Sequence, residues 1–73
     1  MSDTEALLAI LTAKPEAIVK VLAWLDWPFS RLIDAMDNEP RIALSYDARA
    51  CGCQRHVIGN KKYTHIRRRG AER

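Results

Sequence analysis

Three prolines, Pro15, Pro28 and Pro40, divide the first forty residues into segments that leave room only for short helices. Proline lacks the amide hydrogen of a helical ladder and biases the preceding residue toward extended geometry, so each is expected at a helix boundary. Between them the apolar residues keep helical spacing. Ser2-Asp3-Thr4-Glu5 has the Ser-x-x-Glu pattern of a capping box, and Leu7, Leu8 and Leu11 then share one face. A first helix is expected over about 4–13, closed by Pro15. Pro15 is read as the first residue of a second helix over about 15–25, with Glu16 at the positive end of its dipole. Ile18, Val19, Leu22 and Leu25 form its stripe, Val21 and Trp24 widen it, and Lys20 faces water. A third helix is expected over about 28–38, burying Leu32, Ile33, Ala35 and Met36 and turning Ser30, Arg31, Asp34 and Asp37 outward.

After Pro40 the period changes. Ile42, Leu44 and Tyr46 alternate with Ala43 and Ser45, as in a strand. Lys61 to Arg67 alternates again, with Ile66 out of step; Gly59-Asn60 is a turn signal, and Val57-Ile58 can extend a strand. An antiparallel pairing is expected between about 41–46 and 61–67, with Tyr46 and Tyr63 facing one another across it. The expected core is Leu8, Leu11, Ile18, Leu22, Leu32, Met36 and Ile42, with Trp24, Trp27 and Phe29 packing the corner between the second and third helices.

Charge is split along the chain. Residues 1–40 hold three basic and seven acidic side chains, a net of −4, whereas residues 41–73 hold nine basic and two acidic ones, a net of +7. An anionic partner would therefore meet the C-terminal half. The 73 residues have room for one domain, taken as 1–67, followed by a disordered basic tail at 68–73. So short a chain encloses no deep pocket. It has no nucleophile–base pair, Gly-rich phosphate loop or facing carboxylates, so neither enzymatic activity nor a cofactor is expected. No apolar run approaches the roughly 18 residues that span a bilayer, and the acidic start is unlike a signal peptide. A cytoplasmic protein without a membrane partner is expected.

Cys51, Cys53, His56 and His65 read C-x-C-x₂-H-x₈-H, four donors of the kind that hold zinc. The C-x-C spacing departs from the usual C-x₂-C, and strand alternation can turn His65 away. No metal is therefore expected, and free thiols near Arg49 and Arg55, or incidental cysteines, are the other readings.

The order of elements (helix, helix, tight turn Asp26-Trp27-Pro28, helix, strand, loop, strand) resembles the winged helix-turn-helix superfamily over roughly residues 5–67. The resemblance implies an α+β fold, a three-helix winged helix-turn-helix with a C-terminal β-hairpin wing. It also implies a small DNA-binding regulatory protein of a transcriptional, phage or other mobile-element kind. The third helix would enter the major groove of double-stranded DNA with Ser30 and Arg31. The wing and tail would hold phosphates with Arg49, Arg55, Lys61, Lys62, Arg67, Arg68 and Arg69. A lone module of this size binds DNA weakly, which points to a homodimer or a larger protein complex. The acidic outer face of the third helix favours a second reading, a winged-helix module that binds protein and no DNA.

Overall fold

The computed structural model describes residues 2–49 and 54–70. It is a mixed α+β fold with three helices and antiparallel sheets among these residues: α1 (Asp3–Ile10), β1 (Glu16–Ala17), α2 (Ile18–Leu25), α3 (Phe29–Met36), β2 (Ile42–Ser45), β3 (His56–Ile58), β4 (Lys61–Tyr63) and β5 (His65–Arg68). One sheet has the order β1-β5-β2, and β3 with β4 forms a separate two-stranded hairpin.

The N-cap half of the capping box forms. Ser2 Oγ accepts the Glu5 amide at 3.1 Å, and Asp3 and Glu5 occupy the first turn of α1. The helix ends at Ile10 rather than near residue 13, because Leu11 turns extended. The Thr12 carbonyl then accepts the Arg68 amide at 2.8 Å, so the chain leaving α1 is bonded to β5.

Pro15 does not open α2. It precedes β1, whose two residues pair Glu16 with Ile66 and Ala17 with His65, and α2 starts at Ile18, whose amide is accepted by the Thr64 carbonyl at 2.9 Å. At its other end Asp26 takes a left-handed conformation at φ 57°. Its amide bonds Ala23 O and the Trp27 amide bonds Leu22 O, the paired closure of a Schellman motif. That closure turns the chain into α3 with only Trp27 and Pro28 between.

The core takes Leu7, Leu8 and Leu11 around α1, Ile18 and Val21 from α2, Leu32 and Ala35 from α3, Ile42 from β2 and Ile66 from β5. Leu22 and Met36 are half-buried at its margin. The buried stripe of α2 runs through Ile18 and Val21, leaving Val19 and Trp24 exposed instead of inside. Ile66 is fully buried. It falls out of step in the sequence because residues 61–67 are two strands, which part company at Thr64. β4 pairs with β3 as His56↔Tyr63, Val57↔Lys62 and Ile58↔Lys61, while β5 pairs with β2 as Ile42↔Arg68, Ala43↔Arg67, Leu44↔Ile66 and Ser45↔His65. Tyr63 therefore faces His56 and not Tyr46. In the two-residue turn of this hairpin Gly59 sits at φ 63°, a conformation that costs glycine little.

Thr64 joins the two sheets. Its amide is accepted by Ser45 O, its carbonyl accepts Ile18 N–H, and its buried hydroxyl accepts the Asp47 amide at 2.9 Å while lying 2.7 Å from His65 Nδ1. β5 also runs one residue beyond the expected end of the domain at 67, since Arg68 lies within it and the Arg69 amide is accepted by Arg41 O. Residues 71–73 of the expected tail lie outside the described residues.

Candidate nucleic-acid interface

The cations divide into two kinds. On the helical side Lys20, Arg31 and Arg41 are answered by carboxylates, while Lys14 is exposed and makes no ion pair among the described residues. Arg31 grips Asp3 with a two-pronged contact, Nε to Oδ2 at 2.8 Å and Nη2 to Oδ1 at 3.0 Å, and its guanidinium lies 4.7 Å from the Trp27 ring centroid. Arg41 holds Glu39 in the same way, at 2.8 and 3.0 Å, and reaches Glu5 at 3.7 Å. Hydrogen bonds from the Arg41 side chain and then from its backbone amide pull the Glu39 carboxyl down to about 2. The Arg31 side chain likewise lowers Asp3. Lys20 pairs with Glu16 one turn back at 3.7 Å and lies 5.3 Å from the Trp24 ring.

On the hairpin side, among the described residues, Arg49, Arg55, Lys61, Lys62, Arg67 and Arg69 make no ion pair. Arg55 enters β3, Lys61 and Lys62 open β4, and Arg49 lies on the approach from β2, all of them exposed. Successive strand residues point to opposite faces. Lys62 therefore shares the outer face of the hairpin with its partner Val57, which is 60% exposed, while Lys61 shares the other face with Tyr63 and His56.

Two expected phosphate-binding residues have other work. Arg68 is half-buried and donates Nη1 to the Leu8 carbonyl at 3.2 Å, bracing β5 against α1. Arg31, expected to face a groove from α3, has its donor fork taken up by Asp3. Ser30, Asp34 and Asp37 are exposed as expected, so the outer face of α3 is acidic. Arg67 is half-buried opposite Ala43, and Arg69 is exposed just past β5.

Cys51 and Cys53 lie outside the described residues. The two histidines are on different sheets: His56 stacks on Phe29 of α3 with ring centroids 4.6 Å apart, and His65 engages the Thr64 hydroxyl. Among the described residues no group of three or more His, Cys, Asp or Glu is placed to hold a metal. His56 is buried, and its Nδ1 has no hydrogen-bond partner. Burial lowers its proton affinity, opposed in part by the Gln54 backbone. Neither the bracing by Arg68 nor the joining hydroxyl of Thr64 has a local sequence signal, since both depend on partners far away in the chain.

No described helix is long and apolar enough to cross a membrane. Comparison with family models, curated protein sequences and solved structures brings up no match to this chain.

Proposed function

We propose that this chain is a small cytoplasmic winged-helix module that binds DNA and serves a regulatory role, with the β3–β4 hairpin as its wing. The element order supports the fold assignment: three helices, a short strand between the first two, and a hairpin inserted between the edge strand β2 and the central strand β5. The observation that carries the function is the contrast in pairing. Arg49, Arg55, Lys61, Lys62 and Arg69 are exposed and make no ion pair among the described residues, and a phosphate backbone is a complementary partner for such cations. Wing residues Arg55, Lys61 and Lys62 take phosphates, with Arg49 on the approach from β2 and Arg69 farther off, past the end of β5. The third helix plays a smaller part, because Arg31 is engaged by Asp3 and the neighbouring Asp34 and Asp37 repel phosphate.

The test is anisotropy titration of duplex DNA at several salt concentrations. Each lysine that neutralises a phosphate adds about 0.9 to the slope of log affinity against log salt, so the Lys61→Ala/Lys62→Ala variant should lose up to about 1.8. Arg31→Ala should leave the slope nearly unchanged. A double variant with the wild-type slope and affinity would overturn the wing-anchored reading. The acidic face of α3 favours the second reading, a docking module for a basic protein. On that reading the wild type has no affinity for duplex at moderate salt, and substitution of Asp34 and Asp37 abolishes protein binding.

A further inference from the structure

Three cations of the described chain lie over aromatic rings: Arg31 over Trp27, Lys20 over Trp24, and Arg55 over Tyr46 at 5.8 Å. The first two are completed by a carboxylate, Asp3 for Arg31 and Glu16 for Lys20. The third has no such anion among the described residues. Tyr46 is 46% exposed and Arg55 is also exposed, so ring and guanidinium present a flat apolar surface beside an unanswered positive charge. The pair stands where β2 ends and β3 begins, at the base of the hairpin that carries Lys61 and Lys62.

The ligand that completes this pair needs an anionic group for the guanidinium and a planar group for the ring. A nucleotide supplies both, a phosphate at one end and a base with a π-face at the other. In a duplex both faces of an internal base are covered by its neighbours, so a tyrosine ring can stack only on a base that is unpaired or splayed out. We propose that Tyr46 and Arg55 form a nucleotide-binding site for a single-stranded segment, with the base stacked on Tyr46 and its phosphate on Arg55. The site deepens the nucleic-acid reading above and rests on it: the wing lysines hold the backbone of either kind of strand, and Tyr46 distinguishes an open strand from a closed one. Trp24 is more exposed, at 51%, yet its neighbouring cation Lys20 already has Glu16.

The experiment compares a labelled oligothymidine with a mixed-sequence duplex of equal length, using the full chain and its Tyr46→Ala, Tyr46→Trp, Arg55→Ala and Arg55→Lys variants. Thermal melting checks that each variant is folded. Loss of one base stack should weaken oligothymidine binding about 5- to 150-fold in Tyr46→Ala. Tyr46→Trp should bind at least as tightly as wild type, and duplex affinity should be unchanged in both. Arg55→Ala should lower the single-strand salt slope by about 0.7, and Arg55→Lys should restore it. Equal oligothymidine binding by Tyr46→Ala and wild type overturns the site, as does an equal loss on duplex and single strand. Either result leaves the wing reading standing if the lysine variant still flattens the duplex slope. A wild type that binds neither strand overturns both.

Discussion

Arg31 and Lys62 are both exposed cations, but the molecule uses them in opposite ways. Arg31 belongs to the helical body, where Asp3, Glu16 and Glu39 answer nearby positive charges, tie α1 to α3 and β1 to α2, and brace the turn between α3 and β2. Lys62 belongs to the hairpin, which has no carboxylate of its own and points its charges into solvent. Packing follows the same division. The body shares one apolar cluster drawn from all three helices and from β2 and β5, while the hairpin joins that cluster only through Tyr63 at its edge. His56 stacked on Phe29 and the bonded Thr64 complete its attachment. The body's cations Lys20, Arg31 and Arg41 are thus engaged in surface ion pairs with its own carboxylates. The cations of the hairpin remain available to a partner, on an element held by few bonds.

The contrast can be broken most forcefully from the body. Leu32→Ala removes a fully buried side chain at the centre of the cluster and should cost about 2–5 kcal/mol, comparable to the whole stability expected of so small a domain. Circular dichroism should show body and hairpin lost together. A variant that melts like wild type would mean that the cluster is not what holds the body.

A smaller effect is expected where body and hairpin meet. Thr64→Val keeps the shape of the side chain but deprives the Asp47 amide and the His65 ring of their hydroxyl partner. Leaving such a group unsatisfied costs about 1–3 kcal/mol. Amide exchange should quicken around Asp47 and along β3–β4 before it quickens in α2. Uniform quickening would show that Thr64 is part of the body and not a joint.

The smallest change is confined to the hairpin and set by pH. Burial disfavours the charged ring of His56, so an opened hairpin binds a proton more readily than a closed one. The hairpin's stability is then complete above the ordinary imidazole value of about 6.5 and declines as pH falls from there toward the lowered folded value. No carboxylate contributes to the shift: Tyr63 stands opposite, Arg55 adjoins it in sequence over Tyr46, and α3 presents Phe29. Exchange of the β3 and β4 amides measured from pH 8 to 5 should rise on acidification, with α2 less affected. His56→Phe retains a ring against Phe29, loses the unpartnered Nδ1, and should abolish the response. An acid response that persists in His56→Phe would show that His56 is not its source.

Local spacing was enough to reveal three short helices, the outward set Ser30, Arg31 and Asp34 on α3 with Asp37 at its end, the Ser2 cap and the glycine turn at residue 59. Each of these arises from residues within a few positions of one another, where helical period, capping geometry and backbone freedom act directly. Other features were decided only when distant segments met. A two-residue strand such as β1 has no period to detect and exists because β5 lies alongside it. Arg68 reads as tail charge until α1 presents the Leu8 carbonyl, and Ile66 is out of step until Thr64 divides the strands. Arg31 looks like a groove-facing cation until Asp3, 28 residues away, takes its fork. Hydrogen bonds and ion pairs of that range depend on where the packed core places their partners, which no local pattern encodes.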